Sequence, residues 1–288
     1  MSHLSIQNLS KTYPNGVKAI NNISLEIDTG MFGLLGPNGA GKSSLMKTVA
    51  GLQNADSGKV LFNGTNVLQD TAAIRKHLGF LPQDFGVYPK TSAYDLLNHL
   101  AILKGITHAA ERREQVAALL EKVNLYQHRK KEVYTFSGGM RQRFGIAQAL
   151  LGAPKIIIVD EPTAGLDPEE RNRLNGLLSE IGEDTIVILS THLVEDVRSL
   201  CAQMAIISNG IVQVQGSPEE LISKLKGMIW QKQVTTNEAE LLKQEHLISS
   251  QFIAGKMNIR LLANQPPAGF APVLPTLEDV YFTTLSHT

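Results

Sequence analysis

The chain has 288 residues, 27 basic and 27 acidic side chains, a formal net charge of zero and an apolar fraction of 43%. Such a length suits one large domain plus a small appendage, and such a composition suits a globular protein with an ample core rather than a disordered chain. The charge balance argues against broad capture of nucleic acid, which needs a basic face to release counterions from phosphates.

Residues Met1 to Lys11 have neither a basic start nor a continuous apolar stretch, so no secretory signal is read there. Leu4 to Leu9 and Ile23 to Ile27 alternate apolar and polar around the turn residues Pro14-Asn15-Gly16, which predicts two antiparallel strands. Met31 to Leu35 is a short apolar strand that runs into a glycine-rich turn, and Lys42 to Gly51 carries apolar residues at helical spacing. From Ser92 to Asn124 the pattern is helical, with Tyr94, Leu97, Leu100 and Ala101 and then Val116, Leu119 and Leu120 on apolar stripes. This predicts a helical insertion between the two halves of a sheet.

Ile156 to Val159 and Ile186 to Leu189 are β-branched-rich runs, as expected of parallel strands buried on both faces. None of these runs approaches the roughly 20 residues needed to span a bilayer, so membrane contact is expected only through a partner. Helices are predicted over Pro168 to Glu180 and Leu193 to Leu200. Cys201, the single cysteine, excludes an intramolecular disulfide and lies in a sequence that reads as core. Asn209-Gly210 between Met204–Ser208 and Ile211–Gln215 predicts a hairpin. Ser217-Pro218-Glu219-Glu220 predicts a capped helix start. The remainder reads as a strand, a short helix from Asn237, two strands and a last helix from Thr276.

Gly36-Pro37-Asn38-Gly39-Ala40-Gly41-Lys42-Ser43, followed by Ser44, matches the P-loop pattern. In it backbone N–H groups curl around phosphate oxygens, the lysine reaches the β and γ phosphates, and the hydroxyl of Ser43 meets Mg²⁺. Asp160-Glu161 ends a buried strand. Beside a P-loop such a pair suits a hard-oxygen Mg²⁺ ligand, Asp160, and a carboxylate that orients the attacking water, Glu161.

Ser137-Gly138-Gly139-Met140-Arg141-Gln142, standing before the Asp160-Glu161 strand, resembles the signature of ABC ATPases. The resemblance runs from about Leu4 to Lys226. It implies that Tyr13 stacks on adenine, that Gln83 in Phe80-Leu81-Pro82-Gln83 touches Mg²⁺ or water, and that His192 contacts the γ-phosphate. It implies too that Asp167 in Ala164-Gly165-Leu166-Asp167 lies on a loop crossing a dimer interface, and that Ser137, Gly138 and Gly139 bind nucleotide held by the other subunit. Phe136 and Met140 depart from the commonest pattern, Leu and Gln. The Ser-Gly-Gly-Met form and Pro275-Thr276-Leu277-Glu278-Asp279-Val280-Tyr281 look like subunits of multidrug, antibiotic or polysaccharide exporters.

The expected fold is α/β: a P-loop NTPase of ABC type, with a mostly parallel core sheet, an antiparallel β layer and a helical subdomain, plus a small α+β C-terminal extension. The expected boundaries are 1–226 for the ATPase domain, about 84–152 for its helical subdomain and 227–288 for the extension. The expected function is hydrolysis of Mg-ATP as the motor subunit of a transporter. Its partners would be a second ABC subunit, identical or a close paralogue, and transmembrane permease subunits. Its location would be cytoplasmic, peripheral on the inner face of the cell membrane. The alternative, a soluble ABC ATPase acting on ribosomes or DNA, is disfavoured by the single P-loop and the compact insertion between Gln83 and Ser137.

Overall fold

The computed structural model describes residues 2–69, 71–86, 88–235, 247–253 and 255–286. The helix expected from Asn237 lies outside the described residues.

Strands β1 (His3–Thr12) and β2 (Lys18–Asp28) pair antiparallel. With β4 (Ser57–Phe62) and β5 (Thr65–Asn66) they make a sheet in the order β2-β1-β4-β5. Their alternating side chains, Leu4, Ile6, Ile23, Leu25 and Ile27, are buried in one cluster. That one-sided burial is what the period of two in the sequence requires.

The core sheet is built from β3 (Gly30–Leu35), β6 (Leu78–Leu81), β7 (Ile156–Asp160), β8 (Ile186–Thr191), β9 (Gln203–Ser208) and β10 (Ile211–Gly216). Its order is β10-β9-β3-β8-β7-β6, parallel except for the edge hairpin β9-β10. The hairpin turn places Asn209 and Gly210 at φ of 52° and 72°, the backbone a type I′ turn demands.

Helix α1 (Lys42–Val49) follows β3, and α2 (Thr71–His77) precedes β6. The helical insertion expected from Ser92 to Asn124 consists of two helices, α3 (Ala93–Leu103) and α4 (Ala109–Lys122). Each begins on its own cap, Ser92 and His108. Helix α5 (Gly138–Ala149) enters the core against β6, and Leu97, Ala101, Val116, Leu120 and Phe144 join one buried cluster with the sheet. After β7 comes α6 (Pro168–Gly182), and after β8 comes α7 (Val194–Leu200). Ser217 caps α8 (Pro218–Ser223) by accepting from the Glu220 N–H at 3.1 Å.

Beyond it, β11 (Ile229–Val234), β12 (Leu247–Ile253), β13 (Lys256–Leu262) and β14 (Ala271–Pro272) form a separate sheet over a small core of Val234 and Ile259. Helix α9 (Leu277–Ser286) packs on β12 of this sheet and on α7 and α8. It places Leu277, Val280 and Tyr281 in the main core. Asp279, 1% exposed, holds the Arg260 guanidinium of β13 at 2.8 and 2.7 Å, which ties the outer sheet to this helix. Among the described residues no helix is long and apolar enough to cross a membrane.

Candidate functional site

Parallel register decides where the polar strand ends fall. Asp160 lies level with Ser190, and Leu35 with Thr191. The loops that leave β3, β6, β7 and β8 therefore emerge along one edge. In open α/β sheets the crevice at the carboxyl ends of the strands is where ligands bind.

A cleft of about 310 Å³ opens at that edge. The P-loop contributes Asn38, Gly39, Ala40, Gly41, Lys42, Ser43 and Ser44; Gln83 comes from beyond β6, Asp160 and Glu161 from β7, His192 from beyond β8, and Tyr13 from the β1–β2 turn. Gly41 sits at φ 105°, and a Cβ there would run into the carbonyl oxygen of Ala19. The turn into α1 thus needs glycine both for its dihedral and for its closeness to β2.

Lys42 is 6% exposed, and its Nζ donates to the carbonyl oxygens of Gly36 and Pro37 at 2.6 and 3.1 Å. These bonds bring the two P-loop residues that do not line the cleft into contact with its lysine. Burial lowers the Lys42 pKa, against the opposing charges of Glu161 and Asp160. The Ser43 hydroxyl donates to Asp160 Oδ2 at 3.0 Å. Nδ1 of His192 lies 2.8 Å from Glu161 Oε2. Glu161 adopts φ 50°, the left-handed region that non-glycine residues enter at a cost of roughly 1–2 kcal/mol. Its N–H donates to the Ser190 carbonyl at 2.9 Å.

Ser137, Gly138, Gly139 and Asp167 are not among the residues lining this cleft. Ser137 caps α5 by accepting from the Met140 N–H at 3.2 Å, and Asp167 caps α6 by accepting from the Glu170 N–H at 2.9 Å. Phe136 packs edge-on against Phe144 at 6.3 Å between ring centroids, so the larger side chain fills core volume.

Sequence reasoning missed Val17 and Ala19, which line the cleft from the start of β2. It also missed Gln53, whose Oε1 accepts from the Tyr13 hydroxyl at 3.0 Å while its Nε2 donates to the Ser44 carbonyl at 2.8 Å. Val17 and Ala19 follow Tyr13 across the turn and could have been read from that spacing. Gln53 carried no signal.

A family model described as "ABC transporter" matches residues 20–164, half of the chain and most of the elements that build this cleft. The chain belongs to the ABC transporter family. The linearmycin resistance ATP-binding protein of Bacillus subtilis is 37% identical to this ABC protein over 227 residues, 78% of this chain and 72% of the relative. The Nod factor export ATP-binding protein I of Cupriavidus metallidurans is 36% identical over 76% of this chain and 72% of the relative. A solved dimer of an ATP-binding cassette in a post-hydrolysis state, bound to ADP and Pi, superimposes with a TM-score of 0.67 at 26% identity, over 74% of this chain and 98% of that one. This ABC protein is the ATP-binding subunit of a transporter, an ATPase coupled to transport, built on the P-loop NTPase fold.

Proposed function

We propose that this subunit hydrolyses Mg-ATP in a pair of sites formed when two ABC subunits close head to tail, and that it drives export through separate permease subunits. The observation that carries the reading is the meeting of Lys42, Ser43, Asp160, Glu161, His192 and Gln83 in one cleft, while the signature Ser137 faces solvent at a helix start outside it.

In this reading the P-loop N–H groups and Lys42 hold the β and γ phosphates. Tyr13, beside Val17 and Ala19 at the cleft mouth, receives adenine. Ser43 and Asp160 offer two hard oxygens 3.0 Å apart. Among the described residues no group of three or more His, Cys, Asp or Glu could hold a metal. That donor set fits Mg²⁺, which takes one or two protein ligands and completes its shell with phosphates and water. When bound, the ion would neutralise charge developing on the phosphates.

Glu161 accepts the proton of the attacking water, and His192 holds that carboxylate and reaches the γ-phosphate. Gln83 lines the cleft, and Phe80, three residues before it, lines an apolar groove with Leu52, Leu100 and Leu103. Leu52 and Leu103 are 58% and 70% exposed. Exposed apolar side chains of that size at a groove suit a protein partner, which supports this face as the permease contact. Asp167 and the Ser137-Gly138-Gly139 segment would meet nucleotide held by the second subunit, so hydrolysis waits for closure. The names of the linearmycin resistance and Nod factor relatives support export.

The deciding experiment combines two measurements on the full chain. Calorimetry with Mg-ATP and phosphate-release kinetics should show binding and turnover, with turnover rising faster than linearly with protein concentration. Linear dependence would reject the shared-site arrangement. Affinity co-purification from membranes should recover an integral membrane protein, and loss of that capture in Leu103→Glu would support the groove.

A further inference from the structure

A buried carboxylate outside the cleft joins the segments that carry Glu161, His192 and Asp167. Asp196 is fully buried and stands one helical turn beyond His192, in the first turn of α7. Its Oδ2 accepts from the Thr163 hydroxyl at 2.6 Å. Its Oδ1 accepts from Arg171 Nε at 2.8 Å and lies 2.7 Å from Nη2. Thr163, also buried, is two residues beyond Glu161. Arg171 is one helical turn beyond Asp167, whose carbonyl accepts its N–H at 2.9 Å.

One carboxylate therefore holds both ends of the 163–167 loop. None of Asp196, Thr163 and Arg171 lines the nucleotide cleft. A buried ion pair is a poor device for stability, since well-packed apolar groups of the same volume often do as well or better. Its strength is geometric: two oxygens and three donors fix orientation as apolar contact cannot.

What needs fixing is close by. Glu161 holds a left-handed backbone at φ 50°, and strain of that kind persists only where neighbouring structure over-determines it. The restraints are visible: the Glu161 N–H to Ser190, the Ala164 N–H to the Glu161 carbonyl at 3.3 Å, His192 on the carboxylate, and Thr163 on Asp196. Segments 160–163 and 190–196 are thus joined by two side-chain contacts besides that backbone bond, His192 to Glu161 on the cleft side and Thr163 to Asp196 behind it.

We propose that Asp196 is a positioning residue for hydrolysis, which through Thr163 and Arg171 makes Glu161, His192 and the Asp167 loop a single rigid unit. The inference rests on Glu161 being the group that orients water. It leaves ATP binding to the P-loop and acts on the chemical step, because a displacement of about 1 Å at a reacting centre can cost about a hundredfold in rate.

The test uses the full chain with Mg-ATP. Thr163→Val removes the hydroxyl at nearly constant shape, Thr163→Ser keeps it, and Asp196→Asn keeps shape while removing the charge that pairs with Arg171. We expect Thr163→Val and Asp196→Asn to lower kcat per folded molecule about tenfold or more, with ATP affinity unchanged and Thr163→Ser at the parental rate. A structural role alone would lower the melting temperature and leave the kcat of folded Thr163→Val intact, which overturns the proposal. So does a loss of ATP affinity as large as the loss of kcat. Should Asp196→Asn fail to fold, Thr163→Val with its serine rescue decides. Glu161→Gln runs alongside: normal turnover there removes the reading of the site and this inference with it. An inert Glu161→Gln beside a fully active Thr163→Val removes the inference alone.

Discussion

The imidazole of His192 lies 2.8 Å, Nδ1 to Oε2, from the carboxylate of Glu161, and the two residues differ sharply in exposure. The Glu161 side chain is 7% exposed and that of His192 47%. The register of β7 on β8, Asp160 level with Ser190, sets both just beyond their strand ends. A hydrogen bond in this geometry requires the proton on Nδ1 when the imidazole is neutral, which leaves Nε2 as its second nitrogen. The carboxylate is thereby oriented without losing its second oxygen.

Glu161→Gln keeps the size of the side chain, yet its amide cannot take a proton from water. Loss of a general base costs about 10²–10⁴-fold in rate, so turnover should fall by that range while calorimetric affinity for Mg-ATP stays at the parental value. Phosphate release near the parental rate would remove Glu161 from the role assigned to it.

Lys42→Ala should fail earlier, at binding. A hydrogen bond to a charged group contributes about 1.5–3 kcal/mol, which predicts an affinity weaker by about 10- to 100-fold. Burial holds the pKa of Lys42 below its usual 10.5. The unfolded chain then binds that proton more tightly, so this lysine's contribution to stability grows as pH rises from the depressed folded value towards 10.5. Phosphates push the other way, because they favour the ammonium. Mg-ATP binding at alkaline pH should therefore take up a proton, seen as a binding enthalpy that depends on the buffer, and the uptake should vanish in Lys42→Ala.

Cys201 should be inert in the folded protein. Burial pushes its thiol up to about 12, with the nearby Asp196 charge adding to the effect. At pH 8 the thiolate is then only about one molecule in ten thousand, and thiolate is the reactive form. The folded pKa lies above the unfolded value of 9.0, so the stability this thiol contributes is complete below pH 9 and is lost as pH rises towards 12. A thiol reagent at pH 8 should label the denatured chain fully and the native chain hardly at all. Rapid native labelling would show that α7 opens from β3.

Gly139→Ala tests how the signature helix sits on α6. A Cβ at Gly139 would approach Cδ and Cγ of Glu170 at 2.7 Å. Glu170 cannot simply swing aside, because Arg143 Nε pairs with it at 3.2 Å and Arg173 Nη1 at 3.2 Å. Alanine gains about 1 kcal/mol over glycine in a helix, whereas overpacking costs about 1–3 kcal/mol, and disturbing the Arg143 pair adds to the cost. The sum favours destabilisation, measured as a lower urea midpoint; a raised midpoint would show that Glu170 is free to move.

The main elements were legible where local chemistry decides them. Asn209-Gly210 dictated a hairpin, Ser217 with Glu220 a helix start, and Ile156–Val159 a strand buried on both faces. The P-loop and the acidic end of β7 could be placed at one edge because parallel strands leave their carboxyl ends together. Helix α2 escaped, since Ile74 is the one large apolar residue in Thr71–His77 and a single such residue makes no period. The break between α3 and α4 also escaped, because apolar stripes continue on both sides of it and only the caps at Ser92 and His108 mark separate helices. Nothing in the sequence around Asp196 singled it out. Its burial depends on α6 packing against α7, and no local pattern reports that.

Ser137 distinguishes a shared site from a self-contained one. It stands at the start of α5, exposed, and its hydroxyl accepts from the Met140 N–H, away from the cleft that holds Lys42 and Glu161. If it serves nucleotide bound by a second subunit, Ser137→Arg should fold and bind ATP as a monomer, because the P-loop and Tyr13 are untouched. The cap is lost, at about 1 kcal/mol, which is small beside the 5–15 kcal/mol stability of a folded domain. The arginine's bulk and charge should instead block closure. In the Glu161→Gln background, where closed dimers should accumulate with Mg-ATP, adding Ser137→Arg should return the protein to monomers on a sizing column at unchanged ATP affinity. A double variant that dimerises with ATP as well as its Glu161→Gln parent would reject the shared site, and with it ATP-driven closure as the step that moves the transporter.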